Sequence, residues 1–493
     1  MRHRIARSDD EPVDPVNDCW VFTGLLLLMV LAPLPVGSNR LWAAGILIGL
    51  AAMLLAGTVV AWRGHLQLAQ HRLYGFRLPL ALLFSMVGLA WLQNIPMPAD
   101  WVELISPVAA AAQGGAERSM TFSVDVFQSQ YMAALAFAYL CVFLVAVLCV
   151  RTGSRLDTLA QVLVWSGVLQ AVVGAVLFSV KAEYRLFFVD FVHVRMIGTY
   201  TYHNSLAGYL CMCLSIGVGL MLARLGDSTP RAPTWQAKLR AAIEFTLSPK
   251  MRLRLLLVVM VIALVLTRSR MGNAAFFVAM LVVGAVGVVL ARKTAPKTIA
   301  LIASLIIIDV LVVGTGIGLE KVVERLQDTE LTIAAGGRAE SVEARSETAR
   351  LALALVKDYP LVGSGGGSFY NVFLSYHAAR NTYVHWDHTH NDYVEIASDF
   401  GLLGLGILGA LVLATTVTVF KAMARRKSVL PWGIAFGVAM AMVALLVHSM
   451  VDFNLQIPAN AMTIVVIVAM GWIASELPSK KRRKKVYELE TAA

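Results

Sequence analysis

The chain has 493 residues, of which 58% are hydrophobic and only 15% charged, with a mean hydropathy of +0.70. Soluble domains run nearer half apolar and a quarter charged, so a soluble globular protein is excluded. The net charge of +11 therefore bears on which face of a membrane is basic, and no nucleic-acid partner is expected.

In chain order, twelve apolar runs are each about long enough to cross a bilayer as a helix, the form that satisfies its own backbone polar groups in lipid. They cover 20–36, 41–62, 78–94, 129–150, 157–180, 203–224, 252–268, 272–291, 298–319, 396–420, 430–448 and 459–476. The expected fold is an all-α polytopic membrane protein of about 12 transmembrane helices, the lipid bilayer being its first partner. Residues 1–19 are a tail, 20–319 carry spans one to nine, and 320–395 form a large, partly helical loop. Residues 396–476 carry spans ten to twelve, and 477–493 are a basic tail. The first run follows a polar tail and lacks a small-residue cleavage site, so it reads as a span rather than a signal peptide. Cys141, Cys149, Cys211 and Cys213 lie inside apolar runs, and five cysteines in this length make no disulfide framework.

Charge sets the orientation. The segments 1–19, 63–77, 151–156, 225–251, 292–297, 421–429 and 477–493, with adjoining span ends, hold 28 of the 42 Lys and Arg. By the positive-inside rule that side is cytoplasmic, which puts both termini inside and the 320–395 loop outside. The tail from Lys480 to Lys485 needs no role beyond this signal and attraction to anionic lipid. Asp309, in the apolar run Leu305-Ile306-Ile307-Ile308, is a strongly placed intramembrane carboxylate. It is either functional, or protonated or hydrogen-bonded to a neighbouring helix.

Four external segments stand out where helix ends meet the outer surface. They are 181–204, ending Tyr202-His203-Asn204; the turn Thr267-Arg268-Ser269-Arg270-Met271-Gly272; the loop Glu320 to Glu395; and His448 to Asn454. Within the long loop, 338–357 reads as a helix in which Arg338, Arg345 and Arg350 alternate with Glu340, Glu343 and Glu347, spacings that allow pairing along one exposed face. Gly363-Ser364-Gly365-Gly366-Gly367 lacks the Lys-Ser/Thr of a nucleotide loop and reads as a turn. Thr389, three residues before Asp392, resembles a capping box that starts the next helix. The histidines His385, His388 and His390 permit a metal site but match no strong zinc spacing, so no metal and no cofactor are expected.

Arginine and histidine at an outer membrane surface without ATP suit a substrate already activated by a phosphate leaving group. Arg grips phosphates bidentately and stays charged, while a His or carboxylate can take a proton from an attacking hydroxyl. The alternative for Arg195, Arg268 and Arg270 is that they snorkel at the interface, the reading preferred for Arg268.

His390-Asn391, nine residues, then Gly401-Leu402-Leu403-Gly404 resembles the H-N-x9-G-x-x-G pattern of the O-antigen ligase and polymerase superfamily, bacterial integral-membrane glycosyltransferases. Arg195 leading to Gly198 and Asn204, the Ser269-Arg270-Met271-Gly272 turn, Arg345 through Pro360 to Gly363 and Gly365, and His448 to Asn460 resemble it too. The similarity covers roughly 195–470. It implies a metal-independent, inverting enzyme of the bacterial inner membrane with a periplasmic active site. The donor would be a glycan on undecaprenyl diphosphate, and the acceptor another glycan or lipid A core. By matching positions Arg195 and Arg270 would grip the diphosphate, and His390 would be the base or the acceptor-positioning residue. Arg345, His388, Asn391, His203 and Asn204 are the implied substrate contacts. His203 stands where a proline is common, and the additional His388 gives a second choice of base.

The acceptor decides the name. A polymerase extends lipid-linked O-antigen or exopolysaccharide repeats, with a chain-length regulator as a further possible partner. A ligase passes the finished glycan to lipid A core, and a third kind passes it to a protein. Residues 448–460 favour the polymerase. The rival from another class is a twelve-span transporter or flippase, which would concentrate its polar groups near the midplane.

Overall fold

The computed structural model describes residues 16–114, 119–180, 184–186, 189–191, 195–224, 248–290, 299, 303, 342–377, 386–425 and 428–477. The expected span at 298–319 apart from residues 299 and 303, including Asp309, the helix start at Arg338 and Glu340, His385 and the basic tail lie outside these residues.

Sixteen α-helices are found among the described residues. The first, α1 (Cys19–Leu31), is followed by α2 (Leu41–Trp62), α3 (Leu66–Tyr74), α4 (Arg77–Leu92), α5 (Ala99–Ile105) and α6 (Pro107–Ala112). Then come α7 (Val126–Cys149), α8 (Gly153–Val180), α9 (His203–Arg224), α10 (Pro249–Leu266) and α11 (Arg270–Leu290). After these, α12 (Val342–Asp358), α13 (Phe369–His377), α14 (Asp392–Arg425), α15 (Val429–His448) and α16 (Pro458–Glu476) complete the order. Strand is confined to two short antiparallel pairs, Met97–Pro98 with Ser119–Met120 and Tyr184–Leu186 with Val189–Phe191.

Eight of these helices are long and apolar enough to cross a membrane, and a bent pair adds a ninth crossing if it is counted as one. The protein is a multi-pass membrane protein. Three differences from the sequence reading have plain causes. Helix α1 stops at Leu31 rather than at 36, because Pro33 and Pro35 follow and proline cannot continue a helix. The stretch read as a loop at 63–77 contains α3, which turns into α4 through 91°. Its sequence is near neutral in hydropathy, so α3 lacks the apolar run by which spans are found. Helix α14 has 34 residues, about 51 Å at 1.5 Å per residue, well over the roughly 30 Å of hydrocarbon. It is broken at Gly401, whose φ of 66° and ψ of −176° lie in a region open essentially to glycine alone.

That break is where two backbones meet. A side chain at Gly401 would stand 2.2 Å from the Leu361 carbonyl oxygen, and one at Gly363 would stand 2.2 Å from that of Asp399. The Gly363–Gly367 run is thus a turn docked on the α14 break. Gln93, fully buried, clamps the junction: its amide nitrogen donates to the Val362 and Asp399 carbonyls, and its oxygen accepts from Gly366 N. The Asp399 carboxylate accepts from Gly367 N and Phe369 N, which holds the start of α13.

Helix α9 is the axis of the bundle, with every residue from His203 to Leu222 buried. It crosses α15 so closely that a side chain at Gly433 would meet the Gly219 carbonyl oxygen at 2.3 Å. Close contact through small residues is how membrane helices gain packing when lipid is as apolar as they are. At the end holding the α7–α8 turn, Arg151 and Arg155 pair with buried Asp18 at 2.5 and 2.7 Å. Arg72 donates to the Val147 and Val150 carbonyls there, satisfying the last turn of α7. At the opposite end a second, smaller core joins Met86, Val102, Phe122, Leu355, Phe369 and Phe400. It lays α5, α6, α12 and α13 over the ends of the spans, and the polar residues below are framed by it.

Candidate active site

Four span ends converge at this second end: the starts of α9, α11 and α14, and the turn between α15 and α16. Helices α9 and α11 lie side by side one turn in, where a side chain at Gly272 would meet Ala207 Cβ at 2.7 Å and Cys211 Sγ donates to the Gly272 carbonyl. Two helix N-termini are therefore adjacent, each carrying a partial positive charge. Arg270 opens α11 and is exposed. Ser269 caps that helix by accepting from Gly272 N. Arg268 takes a left-handed φ of 54° to close the turn.

Ahead of α9, Arg195 is exposed and its guanidinium reaches His203 Nε2 at 2.6 Å. Arginine has no acceptor, so the imidazole must accept at Nε2 and carry its proton on Nδ1. That spends the lone pair a base would need, so His203 positions Arg195. The neighbouring Tyr202 hydroxyl accepts from Arg345 at 2.5 Å and from Asn204 Nδ2 at 3.2 Å. Arg345, expected on a solvated helix face, thus reaches from α12 to the start of α9.

The Tyr202 ring stacks on Phe453 with centroids 5.6 Å apart, and Phe453 in turn stacks on His388 at 4.2 Å. His390 meets Phe453 edge-on at 5.0 Å, Trp386 at 5.5 Å and Tyr202 at 6.5 Å. It is buried, with a left-handed φ of 54°. His388 Nδ1 lies 2.6 Å from Glu395 Oε1, and Glu395 Oε2 accepts from Thr389 N at 2.9 Å and Thr389 Oγ1 at 3.1 Å. Burial alone would lower the His388 pKa, but the Glu395 carboxylate, with help from Asp387 and Asp392, outweighs it and pushes the pKa up. Among the described residues no three His, Cys, Asp or Glu side chains form a group that could hold a metal.

The helix cap differs from expectation. Asn391, not Thr389, caps α14: its Oδ1 accepts from Tyr393 N and Val394 N, while its Nδ2 donates to the Met450 carbonyl. Its amide thus caps α14 and ties it to the turn after α15. Thr389 instead accepts from Asn391 N within the preceding turn. Asp392 anchors the turn after α15, its carboxylate accepting from Ser449 Oγ at 2.6 Å and Leu455 N at 3.2 Å. In that turn Asp452 faces His448 at 3.6 Å, both buried. Burial would raise the Asp452 pKa, but His448, Phe453 N and Arg345 together hold it below the usual carboxylate value. Asn460 accepts from Tyr200 OH and donates to the Ser205 carbonyl and Asn454 Oδ1. The 454–460 polar residues therefore join α16 to α9.

Below the cluster an apolar cavity of about 360 Å³ opens beside Asp392, Tyr393 and Ser449 and runs between α4, α7, α14, α15 and α16.

Residues 255–409 match the O-antigen ligase family model. This match supports a place for the segment in the O-antigen ligase and polymerase superfamily. The O-antigen ligase segment takes in Arg270, Arg345, His388, His390, Glu395 and the Gly401 break. It leaves out Arg195, His203, Tyr202 and Phe453, which the fold brings to the same cluster. No curated protein matches the chain. The match supports a membrane enzyme of the O-antigen ligase and polymerase type, for which glycan and lipid-linked substrates are implied.

Of the residues singled out in the sequence, Arg195, His203, Asn204, Arg345, His388 and His390 are linked through Tyr202 and Phe453. Arg270 shares their end of the bundle at the adjoining helix start. Sequence reasoning missed Tyr202, Phe453 and Glu395 as parts of the site. The signal was the placing of two aromatics inside otherwise polar span-end segments, and a glutamate on the first turn of the helix that His390 precedes.

Proposed function

We propose that the protein transfers a glycan from an undecaprenyl-diphosphate donor to a sugar hydroxyl at the periplasmic face, polymerising O-antigen or exopolysaccharide repeats. The observation that carries this reading is the joining of Arg195, Arg345, His388 and His390 through Tyr202 and Phe453, beside Arg270 at two adjacent helix N-termini. In such a site the arginines and helix ends oppose the charge that develops on the leaving diphosphate, the kind of electrostatic stabilisation that is often the largest catalytic contribution. No metal is required in this scheme, because the fixed cations act on the diphosphate directly. His390 lies among aromatic rings, a surface that suits a sugar face, and it orients the acceptor or takes its proton. The acceptor oxygen attacks the anomeric carbon opposite the diphosphate, giving one displacement and inverted configuration. The apolar cavity suits part of an isoprenoid tail.

The test is a gel of products formed by the purified protein in lipid vesicles, with undecaprenyl-diphosphate-linked glycan, chelator and either more donor or core lipid. Polymerisation gives a ladder of lengths with donor alone. A single shift that needs core lipid would make the protein a ligase, contrary to the proposal.

A further inference from the structure

We propose that Glu395 and His388 form the proton-accepting dyad of the transfer reaction, His388 Nε2 being the base and Glu395 the positioning residue behind it. The inference rests on the glycosyl-transfer reading above. Its ground is the way the imidazole is held. Nδ1 is 2.6 Å from Glu395 Oε1, and a carboxylate there fixes the tautomer with the proton on Nδ1, leaving the Nε2 lone pair to accept. Glu395 itself cannot turn away. Its side chain is 3% exposed, its second oxygen is bound by Thr389 N and Oγ1, and it sits on the first turn of a helix capped by Asn391. The ring plane is set by Phe453 stacked at 4.2 Å.

Access separates the two histidines. The His388 side chain is 26% exposed, whereas His390 is buried edge-on between Trp386 and Phe453. A base must reach a hydroxyl on an incoming sugar, and a carboxylate behind it stabilises the imidazolium that forms. The groups that face His388 electrostatically include Glu395, Asp387, Asp392 and Asp399, carboxyl groups whose negative charge favours its protonated form. The turn between α15 and α16 presents the uncharged Phe453. His390 keeps the role of orienting the acceptor.

His388 Nε2 takes the acceptor hydroxyl proton while the acceptor oxygen bonds to the anomeric carbon. The bond from that carbon to the diphosphate oxygen breaks, and its electron pair leaves with the undecaprenyl diphosphate. The imidazolium then returns its proton to water.

The experiment measures pH profiles of kcat and KM with the full-length protein in vesicles and an undecaprenyl-diphosphate-linked oligosaccharide as probe. It compares wild type with His388→Gln, Glu395→Gln, Glu395→Asp and His390→Gln. Loss of a general base costs on the order of 10²–10⁴-fold in rate, so His388→Gln is expected to lower kcat by about 10²-fold or more. Removing the Glu395 charge lowers the His388 pKa, so Glu395→Gln moves the acid limb of kcat to lower pH and lowers the plateau, with KM little changed. Glu395→Asp keeps the charge and restores the limb in part. It carries the test if the glutamine variant does not assemble. His390→Gln raises the acceptor KM and leaves the limb in place. Should the limb vanish or move in His390→Gln and stay put in both Glu395 variants, the dyad is wrong and His390 is the base. An inert wild type would instead overturn the glycosyl-transfer reading, and this proposal with it.

Discussion

At the scale of single residues, hydrogen-bond direction sorts the histidines into different tasks. His203 is turned into an acceptor by Arg195, while His388 is turned into a donor at Nδ1 by Glu395. The raised His388 pKa has opposite consequences for stability and for activity. A folded-state pKa above the ordinary 6.5 contributes stability that is fully present below 6.5 and lost as pH rises through the folded value. Catalysis by the neutral ring rises over the same interval. Thermal unfolding of wild type and Glu395→Gln should therefore differ most near pH 5 to 6 and converge at alkaline pH; a difference that grows with pH would contradict the assignment. The arginines are tested by affinity for undecaprenyl diphosphate. Arg195→Ala is expected to weaken binding roughly tenfold or more, and Arg195→Lys to recover only part, since lysine lacks the planar fork. Equal binding by all three would leave Arg195 as a membrane-interface residue.

At the scale of elements, the break in α14 makes the site possible. It frees residues 392–400 from the membrane span, so that Asp392, Glu395 and Asp399, with Asn391 just ahead of them, cap, anchor and clamp the surrounding turns. Gly401→Ala would place a Cβ 2.2 Å from the Leu361 carbonyl in a backbone region costing about 1–3 kcal/mol for other residues. Loss of folded yield and a fall in the unfolding temperature are expected, whereas Gly406→Ala, with open space around it, should be neutral. Equal behaviour of the two variants would show that the docking of the glycine turn is dispensable. The apolar runs revealed most of these helices because lipid demands apolar faces all round. What composition did not reveal was the break, since Gly401 and Gly404 look alike in sequence and only the approach of Leu361 distinguishes them. Helix α3 was hidden for the complementary reason, a mixed surface too short and polar to read as a span. Thr389 and Asn391 are both good cap residues, and the choice between them depends on Met450 and Glu395, which are brought there by the tertiary fold.

At the scale of the whole molecule, two polar clusters lie at opposite ends of the helix bundle. Asp18, Arg72, Arg151 and Arg155 knit one end, and the histidine and arginine cluster occupies the other. The site was legible as a set of span-end motifs, but their meeting was not, because Tyr202 and Phe453 lie about 250 residues apart and touch only across α9 and the turn after α15. The excess of Lys and Arg predicts the orientation. Cys19 is the one exposed cysteine among the five, so a membrane-impermeant maleimide should label the wild type only in inverted vesicles. Asp387→Cys should add a label in right-side-out vesicles, and the reverse pattern would invert the topology. The central claim is that this outer cluster uses lipid diphosphate as a leaving group. Release of undecaprenyl diphosphate from glycan donor by purified wild type, Arg270→Ala and His390→Ala tests it most directly. Wild type should release the lipid, with Arg270→Ala slower by about 10²–10³-fold and His390→Ala also impaired; donor left intact by wild type, or consumed equally by all three, would contradict it.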